Sequence, residues 1–237
     1  MKARIMAAIC AVCITAPALA DTPEPGADAT PRAADAPAPP PVAEEAPFKH
    51  WFIRAGPAEV IYDEGAKISV GGQQVPGASV RVKNNFTGEI EGGYYFNPNV
   101  SVSLTVGAPP TATLYGTGPL AGLKLGKVTY GPAVAAVQYH ITNFGKHFQP
   151  YLGSGINYTI VLKNHDAAVQ NLKVKSPVGV VLQGGIESWL SNRLSLFVDA
   201  KQIFLNTTAR GTVAGAPARA NIRINPLIVT GGLSFHF

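Results

Sequence analysis

From Phe48 to Phe237 apolar and polar residues alternate with a period of two. In the last stretch Leu227, Val229, Gly231, Leu233, Phe235 and Phe237 share one side, while Thr230, Gly232, Ser234 and His236 share the other; Ile228 breaks the pattern. Successive side chains of a strand point to opposite faces, so this is a strand with one greasy face and one polar face. The same parity recurs upstream. Leu194, Leu196, Val198, Ala200 and Phe204 oppose Ser195, Asp199 and Lys201. Phe86, Ile90, Tyr94 and Phe96 oppose Thr87, Glu89 and Glu91, and Val100, Val102, Leu104 and Val106 oppose Ser101, Ser103 and Thr105.

The pattern predicts eight strands, over residues 48–60, 82–96, 100–108, 128–141, 149–162, 177–190, 193–206 and 219–237. Connections after the odd strands are long (61–81, 109–127, 163–176, 207–218), and those after the second, fourth and sixth are short (97–99, 142–148, 191–192). Long loops on one side and short turns on the other fit an outer-membrane barrel with its loops outside and its turns in the periplasm. An even strand count places both termini with the turns.

The aromatic residues sort by height on the outward face. Trp51, Tyr94, Phe96, Tyr139, Phe235 and Phe237 fall at the turn end, and Phe86, Tyr158 and Phe204 toward the loop end. Two girdles roughly ten residues apart match tilted strands crossing a bilayer. The expected fold class is therefore all-β, an eight-stranded antiparallel transmembrane β-barrel whose outer face is covered by outer-membrane lipid. Phe237 resembles the C-terminal signal read by the barrel-assembly machinery, an expected partner during insertion.

Composition supports an exported membrane protein. The chain is 46% hydrophobic and 14% charged, yet no segment past the leader approaches the ~18 apolar residues of a spanning helix. Lys2 and Arg4, the apolar run Ile5–Thr15, and Ala18-Leu19-Ala20 read as a secretory signal peptide over 1–20. Cys10 and Cys13 leave with it, so disulfides and thiol catalysis are excluded for the exported form. Residues 21–47, with eight Pro, eight Ala and six acidic residues, read as a disordered periplasmic spacer preceding the barrel domain at 48–237. The 17 Lys and Arg outside the leader face 14 acidic residues, with no basic run interleaved with aromatics, so nucleic acid is not an expected partner.

Several stretches carry a closer likeness: "WFIRAGPAEV" at 51–60, "QYHITNFGKHFQPYLGSGINYT" at 138–159 and "RINPLIVTGGLSFHF" at 223–237. The Arg54-Ala55-Gly56 near the start of the first strand, Gln138-Tyr139, the run Pro150–Thr159, and Asn225-Pro226 before an aromatic-terminated strand resemble the OmpW family of small outer-membrane barrels. Two features depart from the family pattern. The spacer is longer and richer in proline, and a Leu-Pro-Pro entering the fourth strand reads Tyr130-Gly131-Pro132 here.

The resemblance implies passive uptake of small hydrophobic molecules through an apolar lumen, with lateral exit into the membrane. Leu114, Tyr115, Leu120, Leu123 and Leu125 are the candidate apolar mouth, and Pro109 and Pro110 are candidates for opening the wall beside it, because proline cannot donate to a ladder. By parity Arg54, Glu89, Glu91, Gln183, Glu187, Asp199 and Lys201 point inward. Charges inside a narrow barrel must be paired or hydrated, so they form either an ion-pair plug or a selectivity constriction. The rival reading is a structural or surface-interaction barrel with a plugged lumen and partner-binding loops.

An enzyme is not expected. His140-Ile141-Thr142-Asn143 resembles the His-x-Ser-Asn of lipid A deacylase barrels, but Thr142 replaces the serine and no carboxylate occurs between Asn143 and Asp166. His50, His140, His147, His165 and His236 are scattered without metal-ligand spacing, so neither a metal nor a cofactor is expected.

Overall fold

A computed structural model describes residues 48–145 and 147–237; the signal peptide and spacer expected over 1–20 and 21–47 lie outside them. In chain order the strands are β1 (Trp51–Ile61), β2 (Glu64–Val70), β3 (Gln73–Gln74), β4 (Ser79–Val82), β5 (Asn85–Asn97), β6 (Val100–Gly107) and β7 (Thr111–Thr117). They continue with β8 (Lys124–His140), β9 (Phe148–Asp166), β10 (Gln170–Val174), β11 (Val178–Trp189), β12 (Leu194–Val213), β13 (Ala216–Ile224) and β14 (Leu227–His236). Eight of them close a ring, β1-β5-β6-β8-β9-β11-β12-β14, with every neighbouring pair antiparallel and β14 returning to β1. Closure leaves no unpaired sheet edge to face lipid.

Short turns are fixed by side chains that accept backbone protons. The Asn97 side-chain oxygen accepts from the N–H groups of Asn99 and Val100, each at 2.9 Å. Ser191 Oγ accepts from Arg193 and Leu194, at 3.3 and 3.1 Å. Such short polar side chains mimic a turn's own hydrogen bonds. The aromatic residues Trp51, Phe86, Tyr94, Phe96, Tyr139, Tyr158, Phe204 and Phe235 all stand on the outer face, together with Phe237.

The barrel continues past the loop-end girdle as a β-structured extension, which corrects the expected loops. The segment 61–81 holds β2, β3 and most of β4, and 109–127 holds β7 and the start of β8. The segment 163–176 holds the end of β9 and β10, and 207–218 the end of β12 and the start of β13. The strand expected over 219–237 is two strands, β13 and β14, which lie end to end along β12 and are interrupted at Asn225-Pro226. Pro226 has no N–H to offer; its carbonyl accepts from Ile203 N at 3.0 Å, and Asn225 N donates to Asp63 O at 2.9 Å.

Inside the extension the polarity of the two faces inverts. In the lower barrel the inward residues are mostly polar, whereas here the inward residues are apolar: Ile68, Val80, Val82, Ala112, Leu114, Leu125, Val128, Leu172, Ala209 and Ile222 form one buried cluster. Ile228, the exception in the terminal pattern, is buried at the boundary between the two regimes.

Large rings fit the narrow lower barrel because each faces a glycine on the neighbouring strand. Phe52 pairs with Gly93, Tyr151 with Gly185 and Phe197 with Gly232. A Cβ on Gly93 would overlap the Phe52 ring and lie 2.6 Å from Val102 O. Gly93→Ala is expected to lower unfolding free energy by about 1–3 kcal/mol, the usual cost of overpacking. Urea titration of the barrel in lipid vesicles measures it.

Candidate functional site

The lower lumen is a polar plug to which all eight ring strands contribute. Arg54 on β1 donates to Glu187 at 2.8 Å and to Glu91 at 3.4 Å. Lys201 on β12 lies 2.7 Å from Asp199 and 3.3 Å from both Glu89 and Glu91. Gln183 Nε2 and Tyr151 Oη donate to Asp199 at 2.9 and 2.8 Å. The seven inward residues expected from parity, Arg54, Glu89, Glu91, Gln183, Glu187, Asp199 and Lys201, thus lie in one buried network.

Partners that parity reasoning did not single out complete it. Gln138 Nε2 donates to Glu91 at 2.8 Å, Thr105 to Glu91 at 2.9 Å and Thr230 to Glu89 at 2.8 Å. His236 lies 2.7 Å from Glu187, and the hydroxyl of Ser195 bonds the same carboxylate. All five occupy inward positions of strands already assigned, so the parity of their own strands would have found them. The Arg54 guanidinium is also caged by three rings, with Phe52 at 4.4 Å, Tyr151 at 4.8 Å and Phe197 at 5.7 Å, so ring faces replace part of its lost hydration. Below lies an aromatic floor in which Tyr95 stacks on His236 and makes a tilted contact with His140, as Trp189 does with His236, and His140 lies 2.9 Å from Ser101 Oγ. Side chains from all eight strands thus bond to one another across the lower lumen, in keeping with an eight-stranded barrel whose interior is filled by side chains.

Above the plug the lumen becomes apolar. A cavity of about 90 Å³ is walled by Val60, Ala112, Val128, Val161, Ile203, Leu205 and Ile228, with Glu89 at its base. A second, of about 70 Å³, continues toward the loop end and is walled by Ile68, Val80, Leu120, Leu123, Leu125, Leu172 and Ala209. Leu114 and Ile222 line both, so the two cavities adjoin across these side chains. Of the expected mouth residues, Leu114, Leu120, Leu123 and Leu125 line these cavities, and so does Pro110. Tyr115 and Pro109 do not: Tyr115 falls on the outward parity of β7 and Pro109 is exposed.

Four prolines, Pro110, Pro132, Pro177 and Pro226, ring the lower cavity at the level where the lipid-embedded barrel meets the extension. The wall beside β8 is interrupted between β6 and β7. The β6–β8 ladder ends at Val106–Ala133 and resumes, as β7 with β8, at Thr111–Thr129. Across that interval Tyr130 N donates to Pro110 O at 3.2 Å, and Pro132 has no N–H to give. The Tyr130-Gly131-Pro132 departure noted in the sequence therefore sits in this gap.

Comparison with known proteins agrees with this architecture. The OmpW family matches residues 50–237. The chain is 31% identical to the dibenzothiophene metabolism operon protein PahQ of Pseudomonas aeruginosa, over 82% of this chain and 90% of that one. Its fold is similar to the crystal structure of the outer membrane protein OprG from Pseudomonas aeruginosa, with a TM-score of 0.74 and 21% identity over 80% of this chain and 96% of that one. It is also similar to the solid-state NMR structure of outer membrane protein AlkL in DMPC lipid bilayers, with a TM-score of 0.65 and 26% identity over 83% of this chain and 94% of that one. The closed eight-stranded ring, its girdles and these matches lead to one conclusion: the chain belongs to the OmpW family of outer-membrane β-barrels.

Proposed function

We propose that this barrel is a passive uptake path for small hydrophobic molecules across the outer membrane. In this reading the extension faces the exterior and both termini face the periplasm. A solute enters past Leu120 and Leu123, passes Leu114 and rests above Glu89. The plug stops it there, so it leaves sideways between Gly107 and Pro132 onto the lipid-facing residues Val106 and Ala133.

The observation that carries the reading is the pair of apolar cavities that share Leu114 and Ile222, the lower of them based on Glu89 of the polar plug. An apolar wall holds apolar solutes and offers nothing to hydrated ions, and binding sites are built on such concave apolar surfaces with few polar groups. One relative is named for dibenzothiophene metabolism, and dibenzothiophene is a small apolar aromatic compound of the proposed class. The plug also favours a second reading, a closed structural barrel whose extension binds partners.

Liposomes separate the two. Purified barrel reconstituted in vesicles is expected to speed transfer of a fluorescent apolar probe while planar bilayers show little ion current. Silence in both assays, from protein shown to be folded by heat-modifiable gel mobility, would favour the closed structural barrel.

A further inference from the structure

The outer surface of the extension carries a charge imbalance that neither the cavities nor the plug uses. Residues 62–84, 108–131, 160–176 and 206–226 together hold eleven Lys and Arg against three acidic residues, Asp63, Glu64 and Asp166. Two of the three are engaged within the extension: Glu64 accepts from Val82 N at 3.0 Å, and Asp166 accepts from the N–H groups of Asn171 and Leu172 at 2.7 and 2.9 Å. Asp63 sits at the bend between β1 and β2, where its carbonyl holds Asn225.

Six of the cations are contiguous. On the outward faces of β2, β13, β12 and β10, Arg210 lies directly opposite Arg219 on one side and Lys173 on the other. One row below, Lys67 faces Asn221, which faces Thr208, and Lys175 N bonds to Thr208 O. Arg223 follows below, opposite Asn206. All six side chains are exposed, and among the described residues none of them makes an ion pair or donates a side-chain hydrogen bond. Like charges directly opposite across a ladder are destabilising, with Cβ atoms roughly 5 Å apart. Three in one row, without an anion among them, call for one from outside the chain. A cleft lined by Lys67, Lys175, Asn206, Thr208, Asn221 and Arg223 adds neutral hydrogen-bonding side chains beside the charges.

Height identifies the partner. Phe204, in the loop-end girdle, precedes Asn206 by two residues and Arg210 by six on the same strand. At roughly 3.4 Å per residue along a strand tilted by about 40°, the patch spans roughly 5–15 Å above the girdle. That is the depth of lipid headgroups and of any sugars attached to them. Guanidinium groups bind phosphate and carboxylate oxygens in pairs, a geometry that Arg210 and Arg219 offer side by side, with Arg223 two rows below.

We propose that this face is a docking surface for the phosphorylated, acidic-sugar headgroup of outer-leaflet lipopolysaccharide, holding a glycolipid against one side of the barrel. The inference rests on the outward orientation of the extension proposed above, and not on solute uptake. Protease cleavage of the extension in intact cells tests that orientation separately.

The test uses the full barrel in zwitterionic detergent, with lipopolysaccharide, chemically dephosphorylated lipopolysaccharide and inorganic polyphosphate as probes. Binding is read by native mass spectrometry and by the shift in unfolding temperature. Lipopolysaccharide is expected to bind and to raise the unfolding temperature in a saturable way. The variant Lys173→Gln/Arg210→Gln/Arg219→Gln is expected to bind at least tenfold more weakly, and so is wild type with the dephosphorylated probe. Without any anion the variant should unfold at the same temperature as wild type or higher, because repulsion has been removed. Equal binding by the variant or by the dephosphorylated lipid would overturn the proposal. Binding of polyphosphate as tight as that of lipopolysaccharide would replace it with a site for soluble polyanions. Unfolding of the variant below wild type without any probe would make the three side chains structural and also overturn it.

Discussion

Arg54→Leu is expected to cost about 3–5 kcal/mol of unfolding free energy, the largest single-site effect in the barrel wall. Arg54 is fully enclosed, bonded to Glu187 at 2.8 Å and Glu91 at 3.4 Å, and bounded by the rings of Phe52, Tyr151 and Phe197. Leucine fills part of the volume but leaves two carboxylates buried without their shared cation. Much of the cost belongs to Glu187, which loses its guanidinium partner, while Glu91 keeps Lys201 at 3.3 Å. Two companion variants separate the contributions. Arg54→Lys keeps the charge but loses the planar fork and the stacking, so it should fall between Leu and wild type. Arg54→Leu combined with Glu187→Gln removes one orphan and should recover part of the loss. Reversible urea unfolding in lipid vesicles, followed by tryptophan fluorescence, gives all three. A loss under about 1 kcal/mol for Arg54→Leu would mean that water fills the plug, since a hydrated ion pair is worth only that much. Planar-bilayer conductance would then rise as well.

The second large effect concerns transfer. Leu114→Asp is expected to slow uptake of an apolar probe at least about tenfold, because an unpaired carboxylate in an apolar cavity is costly to approach and to desolvate, and each 1.4 kcal/mol is a factor of ten. Leu114, like Ile222, lines both cavities, and it sits on a short strand flanked by the inward Ala112 and Gly116. Should the charge unfold the extension, Leu114→Trp blocks the same junction by volume while staying apolar. Leu114→Met, nearly isosteric, should transfer as wild type. Uptake unchanged by both Asp and Trp would show that no solute passes this junction. Tyr115→Asp, on the outward side of the same strand, is the matched control and should leave uptake unchanged.

The region of the fold that was legible in the sequence coincides with the lipid-embedded zone. There one face of each strand touches hydrocarbon and must be apolar, so Leu196, Val198 and Phe204 against Ser195, Asp199 and Lys201 mark β12 without any coordinates. The same parity named the charged members of the plug, because an inward Glu or Lys in an otherwise greasy strand has nowhere else to point. Uncharged members such as Gln138 and Thr230 were not assigned to the charged network, since a lone polar residue carries less weight in a pattern than a charge does.

Above the girdle that signal reversed. Along β12 the odd positions stay inward throughout, yet inward Asp199 and Lys201 give way to Ile203, Leu205 and Ala209. The outward side changes from Val198 and Phe204 to Asn206, Thr208 and Arg210. The rule that assigns the greasy side to lipid fails once water and headgroups replace hydrocarbon. For that reason 61–81 and 207–218 read as loops although they are strands, and Tyr115 read as a mouth residue although it faces out.

By itself the sequence determined the strand parity, the ring of eight, the girdles and the charged interior, because bilayer and backbone impose these locally, residue by residue. Tertiary structure decided the rest. It decided that Arg54 bridges Glu91 and Glu187, 37 and 133 residues away along the chain. It decided that Leu114 lines both apolar cavities, that the ladder beside β8 breaks between Ala133 and Thr129, and that Lys173, Arg210 and Arg219 share one row. Each of these depends on register between strands distant in the chain, and register follows from barrel closure, which no single strand encodes.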